Sequence, residues 1–521
     1  MGIYRKTIKD INVAGRKVMV RAGLDVPLDQ TKDLLDPNRV IDDTRIRDVL
    51  LTLKYLVEKN AKIILAAGWC GRPKGEDPDY SMAPVAKRIE ILLKDYLKKN
   101  VLIAPNCFID KKPRSVNKNR SEVKKIVSTL EDGQIVVLEN VRYDPEANSN
   151  DEDFASFLAS LAEVYVNDNE TQNHRPEASI VATPVMIAEK GGEVVYGLKY
   201  VDVLDKIGGL KQELENPDRG PFVFGLCGKK IESDPGITSK ITVGMDLIST
   251  MRAGDTIITG GAVTYTFLLA QHYANKINDN IVEVNSIVNN YNNKIVDGVK
   301  GAADKKEAAK ITSELQKQKS DKLKELIGIT DADIKALIGN SYIRWGQEGE
   351  QIVFAANFLN KAKEKNIDII TAFDHIIANS LPDQRGILPD NAEIRIFDHE
   401  IGIPSGFLGV AEGPATLEKI SYAIKNAAVY LQSGPYSIED ERTEQFSKTD
   451  SIIFNAVLEC KTKGGVTIGA GGDTTARINA RNVNNNFSIV TSAGGATLEL
   501  IKDGTSKGQE AVEEAVRKSK P

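Results

Sequence analysis

Lys17-Val18-Met19-Val20-Arg21, a helical pattern over residues 46–58, and Lys62-Ile63-Ile64-Leu65-Ala66 decide the fold. The two short runs are apolar and rich in β-branched residues, and they read as strands. Between them, apolar residues fall at positions 46, 49, 50, 53, 56 and 57, which is one face of a helix. Strand, crossover helix and strand make a β-α-β unit, and such units imply a parallel sheet covered on both faces.

The pattern repeats outward from this unit. Strands are expected at 101–104, 135–139 and 164–167, with helices at 84–97, 123–130 and 154–162. A second series begins near Pro221, with strands expected at 222–226, 256–258, 367–370, 393–397, 427–431, 466–468 and 488–490. The expected fold class is therefore α/β: two lobes, each a doubly wound parallel sheet with helices on both faces, joined by an interlobe helix. The domain reading is 1–195 for the first lobe, 196–217 for the joining helix (its pattern spans 201–214), 218–500 for the second lobe and 501–521 for a tail. Residues 275–342 break the alternation with the Asn-rich run Asn289-Asn290-Tyr291-Asn292-Asn293 and a Lys/Glu/Ala helix at 303–327. They read as a surface insertion whose charges are solvated, and as a candidate protein contact.

Composition limits the function classes. The 521 residues are 41% hydrophobic and 27% charged, too apolar for a disordered chain. Net charge is −5, so the chain as a whole does not attract nucleic acid or an anionic membrane, and any anion site must be local. Cys70, Cys107, Cys227 and Cys460 form no CxxC pair and read as buried thiols in a reducing compartment. His272, His375 and His399 show no metal spacing, and His174 reads as a neighbour of Arg175 rather than a general base. No long apolar run suggests a spanning helix, and the first residues do not read as a signal peptide. A cytoplasmic monomer is expected.

Ligands of parallel sheets bind beyond the carboxyl ends of the strands. In the first series that position is held by arginine. Gly71-Arg72-Pro73, Asn140-Val141-Arg142 and Asn173-His174-Arg175 follow three strands, and Arg45 opens the first long helix. Arginine forks onto carboxylate and phosphate and stays charged, so converging arginines in an acidic chain predict a small polyanion. In the second series the position is held by glycine. Cys227-Gly228-Lys229-Lys230, Gly260-Gly261, Ser433-Gly434-Pro435, Gly469-Ala470-Gly471-Gly472-Asp473-Thr474 and Ala493-Gly494-Gly495 all follow strands. Such loops bring backbone N–H groups to phosphates, and Asp473 could hold Mg²⁺. Neither a P-loop nor a GxGxxG after the first strand is present, so neither of those two nucleotide sites is expected. The combination suggests a two-lobe phosphotransferase that closes on its ligands.

Residues 18–28, Val18-Met19-Val20-Arg21-Ala22-Gly23-Leu24-Asp25-Val26-Pro27-Leu28, resemble the opening motif of phosphoglycerate kinases. So do Asp42-Asp43-Thr44-Arg45-Ile46, Gly71-Arg72-Pro73-Lys74-Gly75, Leu138-Glu139-Asn140-Val141-Arg142-Tyr143, Tyr165-Val166-Asn167-Asp168, Gly471-Gly472-Asp473-Thr474 and Gly494-Gly495-Ala496-Thr497-Leu498-Glu499-Leu500, in order. The resemblance covers nearly the whole chain outside the insertion. It implies reversible phosphoryl transfer between Mg-ATP and 3-phosphoglycerate, giving ADP and 1,3-bisphosphoglycerate. It also implies roles. Arg45 would be the catalytic arginine, with Arg72, Arg142 and Arg175 on the triose and Lys230 on the transferred phosphoryl. Gly260 and Gly261 would line the adenine pocket, with Gly228, Lys240, Gly434, Pro435, Gly471, Gly472 and Thr474 also at the nucleotide. Glu439 or Asp440 would meet the ribose, and Asp473 would bind magnesium.

The sequence also departs from the family pattern. Gly23 and Asp25 stand where the family has Asp and Asn, Trp69 and Glu177 stand where it has histidines, and Asn169-Glu170-Thr171 replaces its Ala-Phe-Gly. Gly23 offers no side chain, and Asp25 and Glu177 are expected to repel an anion. In the second lobe the lysine pair is spread to Lys230 and Lys240, with Asp234 between them. Ala411 and Ser433 replace an Asp and an Asn, and Ala262 and Ala493 interrupt three-glycine runs. Two readings stay open: a working kinase, and a catalytically impaired paralogue acting as a binding or structural component.

Overall fold

The computed structural model describes residues 4–67, 71, 73, 75–96, 102–104, 114–228, 240–302, 305–343, 345–383, 386–398, 402–438 and 444–519. They divide into two compact units, Met1–Lys211 with Thr491–Pro521, and Gln212–Val490.

The first unit holds β1 (Lys17–Ala22), β2 (Lys62–Ala67), β3 (Leu102–Ala104), β4 (Ile135–Leu138), β5 (Val164–Asp168) and β6 (Glu193–Tyr196), in sheet order β3-β4-β2-β1-β5-β6. Every pairing is parallel. Val18, Val20 and Ala22 of β1 pack with Ile46, Val49, Leu53, Leu56 and Val57 of helix Thr44–Glu58. That is the apolar face expected from the sequence. It is buried because a parallel sheet is covered on both faces. β6 and helix Ala182–Glu189 were not expected. A four-residue edge strand is too short to show a period in the sequence.

The joining helix expected over 201–214 is two helices, Leu198–Ile207 and Leu210–Glu215, interrupted at Gly208-Gly209. Glycine costs a helix interior about 1 kcal/mol relative to alanine, and two in succession end it. Helices Gly495–Asp503 and Lys507–Lys518 both belong to the first unit. In the second of these, Gly508 N–H donates to the Asn173 carbonyl at 2.8 Å, Ser506 Oγ accepts from Asn173 Nδ2 at 3.2 Å, and Lys518 pairs with Glu189 at 2.8 Å.

The second unit holds β7 (Phe222–Cys227), β8 (Thr256–Gly260), β9 (Asp368–Ile370), β10 (Asp374–Ala378), β11 (Ile394–Asp398), β12 (Leu408–Glu412), β13 (Val429–Ser433), β14 (Val466–Ala470) and β15 (Ile489–Thr491). Six of them form the expected second sheet, in order β15-β14-β13-β7-β8-β9. The strand expected at 393–397 is not part of it. It is β11 of an antiparallel sheet β11-β10-β12. β10 and β12 were not expected from the sequence; each carries charge at one end, Asp374 and Glu412.

The insertion is helical in its described residues: Ala274–Asp279, Ile281–Gly301, Lys305–Ile327 and Asp331–Ile338. The Asn-rich run lies inside the second of these. The charge run of the third is not wholly solvated, as the sequence reading had it. Lys319 is buried, donating to Asn292 Oδ1 at 2.8 Å and Glu350 Oε1 at 2.7 Å, and Lys324 pairs with Glu348. The glutamates come from helix Glu348–Glu364, so this charged face packs within the unit.

Candidate active site

β1 lies between β2 and β5, and β7 lies between β13 and β8. In each sheet the winding reverses beside the central strand, which opens a crevice at the strands' carboxyl ends. The loops after β1, β2, β4 and β5 carry the charged residues of the first unit.

These residues form one connected chain. Arg45 donates to the Asp25 carbonyl, and its Nη1 lies 3.6 Å from Asp25 Oδ2. The other carboxylate oxygen of Asp25 accepts from Gly71 N–H at 2.8 Å. The Gly71 carbonyl accepts from Arg142 Nη1 at 3.3 Å. Arg142 Nη2 lies 3.6 Å from Glu177 Oε1, and Glu177 Oε2 accepts from Arg21 Nη2 at 3.2 Å. Arg21 is fully buried in β1 and also donates to Ser179 Oγ and Gln172 Oε1, at 3.0 and 3.1 Å. Burial pushes its guanidinium pKa down, and Glu177 opposes the shift.

Two sequence expectations are corrected here. Asp25 and Glu177 are not free acids facing an anion. Asp25 positions Arg45 and caps a backbone N–H, and Glu177 neutralises Arg21 and steadies Arg142. Arg21 was missed, although a charge inside an apolar strand was the signal for it. Arg175 lies half-buried in the loop after β5, and beside it burial pushes His174 down to about 4, leaving it uncharged near neutrality. Arg72 and Trp69 lie outside the described residues.

Gly23 is in van der Waals conflict with any replacement. A Cβ there would collide with Thr171 Oγ1 and sit 3.0 Å from Asn169 Oδ1. Glu170, in the same loop, is buried and accepts from Ser492 N–H at 3.0 Å and Ser492 Oγ at 2.7 Å. Ser492 Oγ also lies 2.9 Å from Asp48 Oδ2, and Lys199 pairs with Asp48 at 3.5 Å. Burial and Asp48 raise the Glu170 pKa, while Lys199 opposes them.

In the second unit the glycine loops converge. Gly228 N–H donates to the Gly260 carbonyl at 3.1 Å, and the Gly228 carbonyl accepts from Val263 N–H at 3.1 Å. Gly261 has φ +63°, and a Cβ there would lie 2.9 Å from the Pro435 carbonyl and 3.0 Å from Gly228 N. Only glycine fits that approach. Gly434 N–H donates to Thr474 Oγ1 at 2.8 Å. Gly471, at φ +101°, caps helix Gly472–Ala480, whose first turn carries Asp473. Lys230, Glu439 and Asp440 lie outside the described residues. Lys240 opens helix Lys240–Leu247, and its side chain lies outside what the structure describes.

Magnesium usually takes one or two protein carboxylates and completes its octahedron with water and phosphate oxygens. Asp473, exposed at a helix N-terminus beside the Gly471 turn, offers that chemistry. Among the described residues no cluster of three or more His, Cys, Asp or Glu forms a closed metal cage.

Glu412 was not expected at this site. It is buried, and its Oε1 accepts from Gly261 N–H at 2.7 Å. Burial lifts its carboxyl from 4.5 to about 8. The unfolded chain then loses this proton near pH 4.5, whereas the folded chain keeps it to about pH 8. The contribution to stability is complete below the lower value and is lost as pH rises to the upper one. Asp168, pushed up to about 7 by burial, acts in the same direction in the first unit. Glu412→Gln is expected to flatten the fall in the second unit's thermal midpoint between pH 5 and pH 8. Calorimetry across that range checks it, and parallel curves for variant and parent would count against it.

Two doubly wound α/β units, one with arginines at its strand ends and one with glycine loops, define an α/β protein of the two-unit type. The family model for phosphoglycerate kinase matches residues 8–334 and 334–504, and the chain belongs to that family. The phosphoglycerate kinase of Clostridium botulinum Alaska E43 is 30% identical over 505 residues, covering 96% of this chain and 97% of the relative. That of Aquifex aeolicus is 29% identical over 500 residues, covering 96% of each. Among solved structures, phosphoglycerate kinase from Pyrococcus horikoshii OT3 superposes with a TM-score of 0.64 at 16% identity, covering 98% of this chain and all of the other. The enzyme from Coxiella burnetii gives 0.59 at 21% identity, with full coverage of both chains. Among the described residues no helix is long and apolar enough to cross a membrane.

Proposed function

We propose that this chain catalyses reversible phosphoryl transfer between Mg-ATP and 3-phosphoglycerate, giving ADP and 1,3-bisphosphoglycerate. The supporting observation is the chain of contacts from Arg45 through Asp25, Gly71 and Arg142 to Glu177, which fixes two arginines beyond the central strands. Family membership supports the same reading. Phosphoryl transfer depends on positioning and charge neutralisation more than on covalent chemistry. Arg45 would stabilise the phosphoryl oxygens in flight, and Arg142, Arg175 and Arg72 would hold the phosphorylated acid. Lys230 would contact the transferred group. The glycine loops at Gly228, Gly261, Gly434 and Gly471 would bring backbone N–H groups to the nucleotide. Magnesium, held by Asp473, neutralises phosphate charge when bound.

The test is a coupled assay of the purified full chain with Mg-ATP and 3-phosphoglycerate. Turnover is expected. None at high enzyme concentration would leave the alternative, a family member that serves as a binding or structural component.

A further inference from the structure

Ser492 Oγ lies 2.7 Å from Glu170 Oε1 and 2.9 Å from Asp48 Oδ2. Both are hydrogen-bond distances, yet a hydroxyl carries one hydrogen. It donates to one carboxylate oxygen only, and an ionised carboxylate has nothing to donate in return. The second contact therefore requires a proton on one of the two carboxyl groups, aimed at Ser492 Oγ. The hydrogens run either from Asp48 Oδ2 through Ser492 Oγ to Glu170 Oε1 or in the reverse direction. A concerted shift of both interchanges the two orders, so the proton belongs to the pair.

The surroundings lead to the same count. Glu170 is 6% and Ser492 1% exposed, so solvent screens the pair poorly. Lys199, 3.5 Å from Asp48 Oδ1, balances one negative charge. The other titratable groups facing the pair do not balance a second: Asp168 and Tyr200 are acids, and Asp202 draws on Lys199. Glu170 Oε2 is buried with no partner among the described residues, which a neutral carboxyl tolerates far better than a carboxylate.

The bridge joins three segments. Glu170 is on the loop after β5, Ser492 follows β15, and Asp48 lies on helix Thr44–Glu58, three residues after Arg45. The N-cap of that helix, Asp43, makes no capping hydrogen bond. Its start is held instead by side-chain ties: Asp43 to Arg88, Arg45 to the Asp25 carbonyl, and Asp48 to Ser492.

We propose that Asp48, Ser492 and Glu170 share one proton in the folded chain, and that this proton positions the start of helix Thr44–Glu58 and with it Arg45. Its loss as pH rises leaves two carboxylates competing for one hydroxyl, and their repulsion pushes the helix start away from Ser492. The three are positioning residues. Their effect on catalysis rests on the kinase reading; the shared proton does not.

Asp48→Asn is the test. The amide puts an N–H donor where the carboxyl proton stood, Ser492 donates to an ionised Glu170, and net charge is unchanged, but the bridge no longer needs a shared proton. Infrared spectra of parent minus variant near neutral pH should show the carbonyl band of one protonated carboxyl, lost as pH rises; the bands of Asp168 and Glu412 cancel in the difference. Amide hydrogen exchange over residues 44–50 should match in the two proteins at about pH 6. At about pH 9, the upper end for buried glutamates, it should be about tenfold faster in the parent, the scale of one pKa unit of interaction. Ser492→Ala, which removes the bridge, should exchange faster than the parent at about pH 6. The parent's kcat should fall on the alkaline side relative to that of Asp48→Asn, with KM for Mg-ATP unchanged. A difference spectrum without the band would overturn the proposal, as would exchange that stays parallel across pH, or matching kcat profiles in an active parent. A parent that shows the band and the exchange difference but no turnover would end the kinase reading alone.

Discussion

Arg45→Ala is expected to lower kcat by about 10³–10⁵-fold, the range for removing an arginine that stabilises a phosphoryl group in transfer. The size follows from how the side chain is held. It is 27% exposed, bonded to the Asp25 carbonyl and 3.6 Å from the Asp25 carboxylate, so its orientation is set before any ligand arrives. Preorganised charge needs no rearrangement during the reaction and is worth more than a mobile charge. Alanine also leaves Asp25 without its cation, which adds repulsion toward an anionic ligand. Arg45→Ala with Asp25→Asn should therefore recover part of the loss in KM for 3-phosphoglycerate and little of the loss in kcat. Arg45→Lys keeps the charge but not the fork, and should remain well below the parent. Steady-state kinetics of the four proteins check this, and a fall in kcat of less than about tenfold in Arg45→Ala would remove Arg45 from the transfer step.

Glu177→Gln should destabilise the first unit by about 3–5 kcal/mol, the cost of breaking a buried ion pair on one side. Its partner Arg21 is fully buried at 3.2 Å and has no solvent to take over. Three hydrogen bonds, to Ser179, Gln172 and the Ala22 carbonyl, remain, but none neutralises the charge. At roughly 2–4 °C per kcal/mol for a unit of this size, the thermal midpoint should drop by on the order of 10 °C. Arg21→Met added to Glu177→Gln should return most of it, because replacing both members of a buried pair is far milder than removing one. Calorimetry that resolves the two units gives the answer. A shift under about 2 °C in the single variant would show that Glu177 does not neutralise Arg21.

These cases show what the sequence made legible. The β-α-β winding was readable because apolar strands and a helix face are local periodicities, and they placed β1, β2 and helix Thr44–Glu58 correctly. The strand-end arginines and glycine loops were readable because the fold directs ligands to those ends. Pairing was not readable. Asp25 and Glu177 looked like misplaced acids because their cations, Arg45 and Arg21, and the Gly71 N–H become neighbours only when β1, β2 and β5 lie side by side. Gly23 looked like a loss because Thr171, which fills its volume, is on another loop. β10 and β12 were hidden for a different reason. Each carries charge at one end, and β12 gives up a side chain at Gly409, where the Tyr265 ring packs.

The C-terminal helix Lys507–Lys518 seats on Asn173 and on helix Ala182–Glu189, in the unit that contains the first 211 residues. A ribosome delivers the chain in one direction, so this unit cannot be completed when its own first part emerges. All of Gln212–Val490 must be made first. At roughly 5–20 residues per second that interval is on the order of tens of seconds. During it the groups that the last helix will cover, Asn167 and Asn173 among them, wait without their final partners, while the second unit is free to fold as soon as its own residues are out. The first unit is thus completed only after every residue of the second has been made, and a chain cut short before Ser506 would leave it without these contacts.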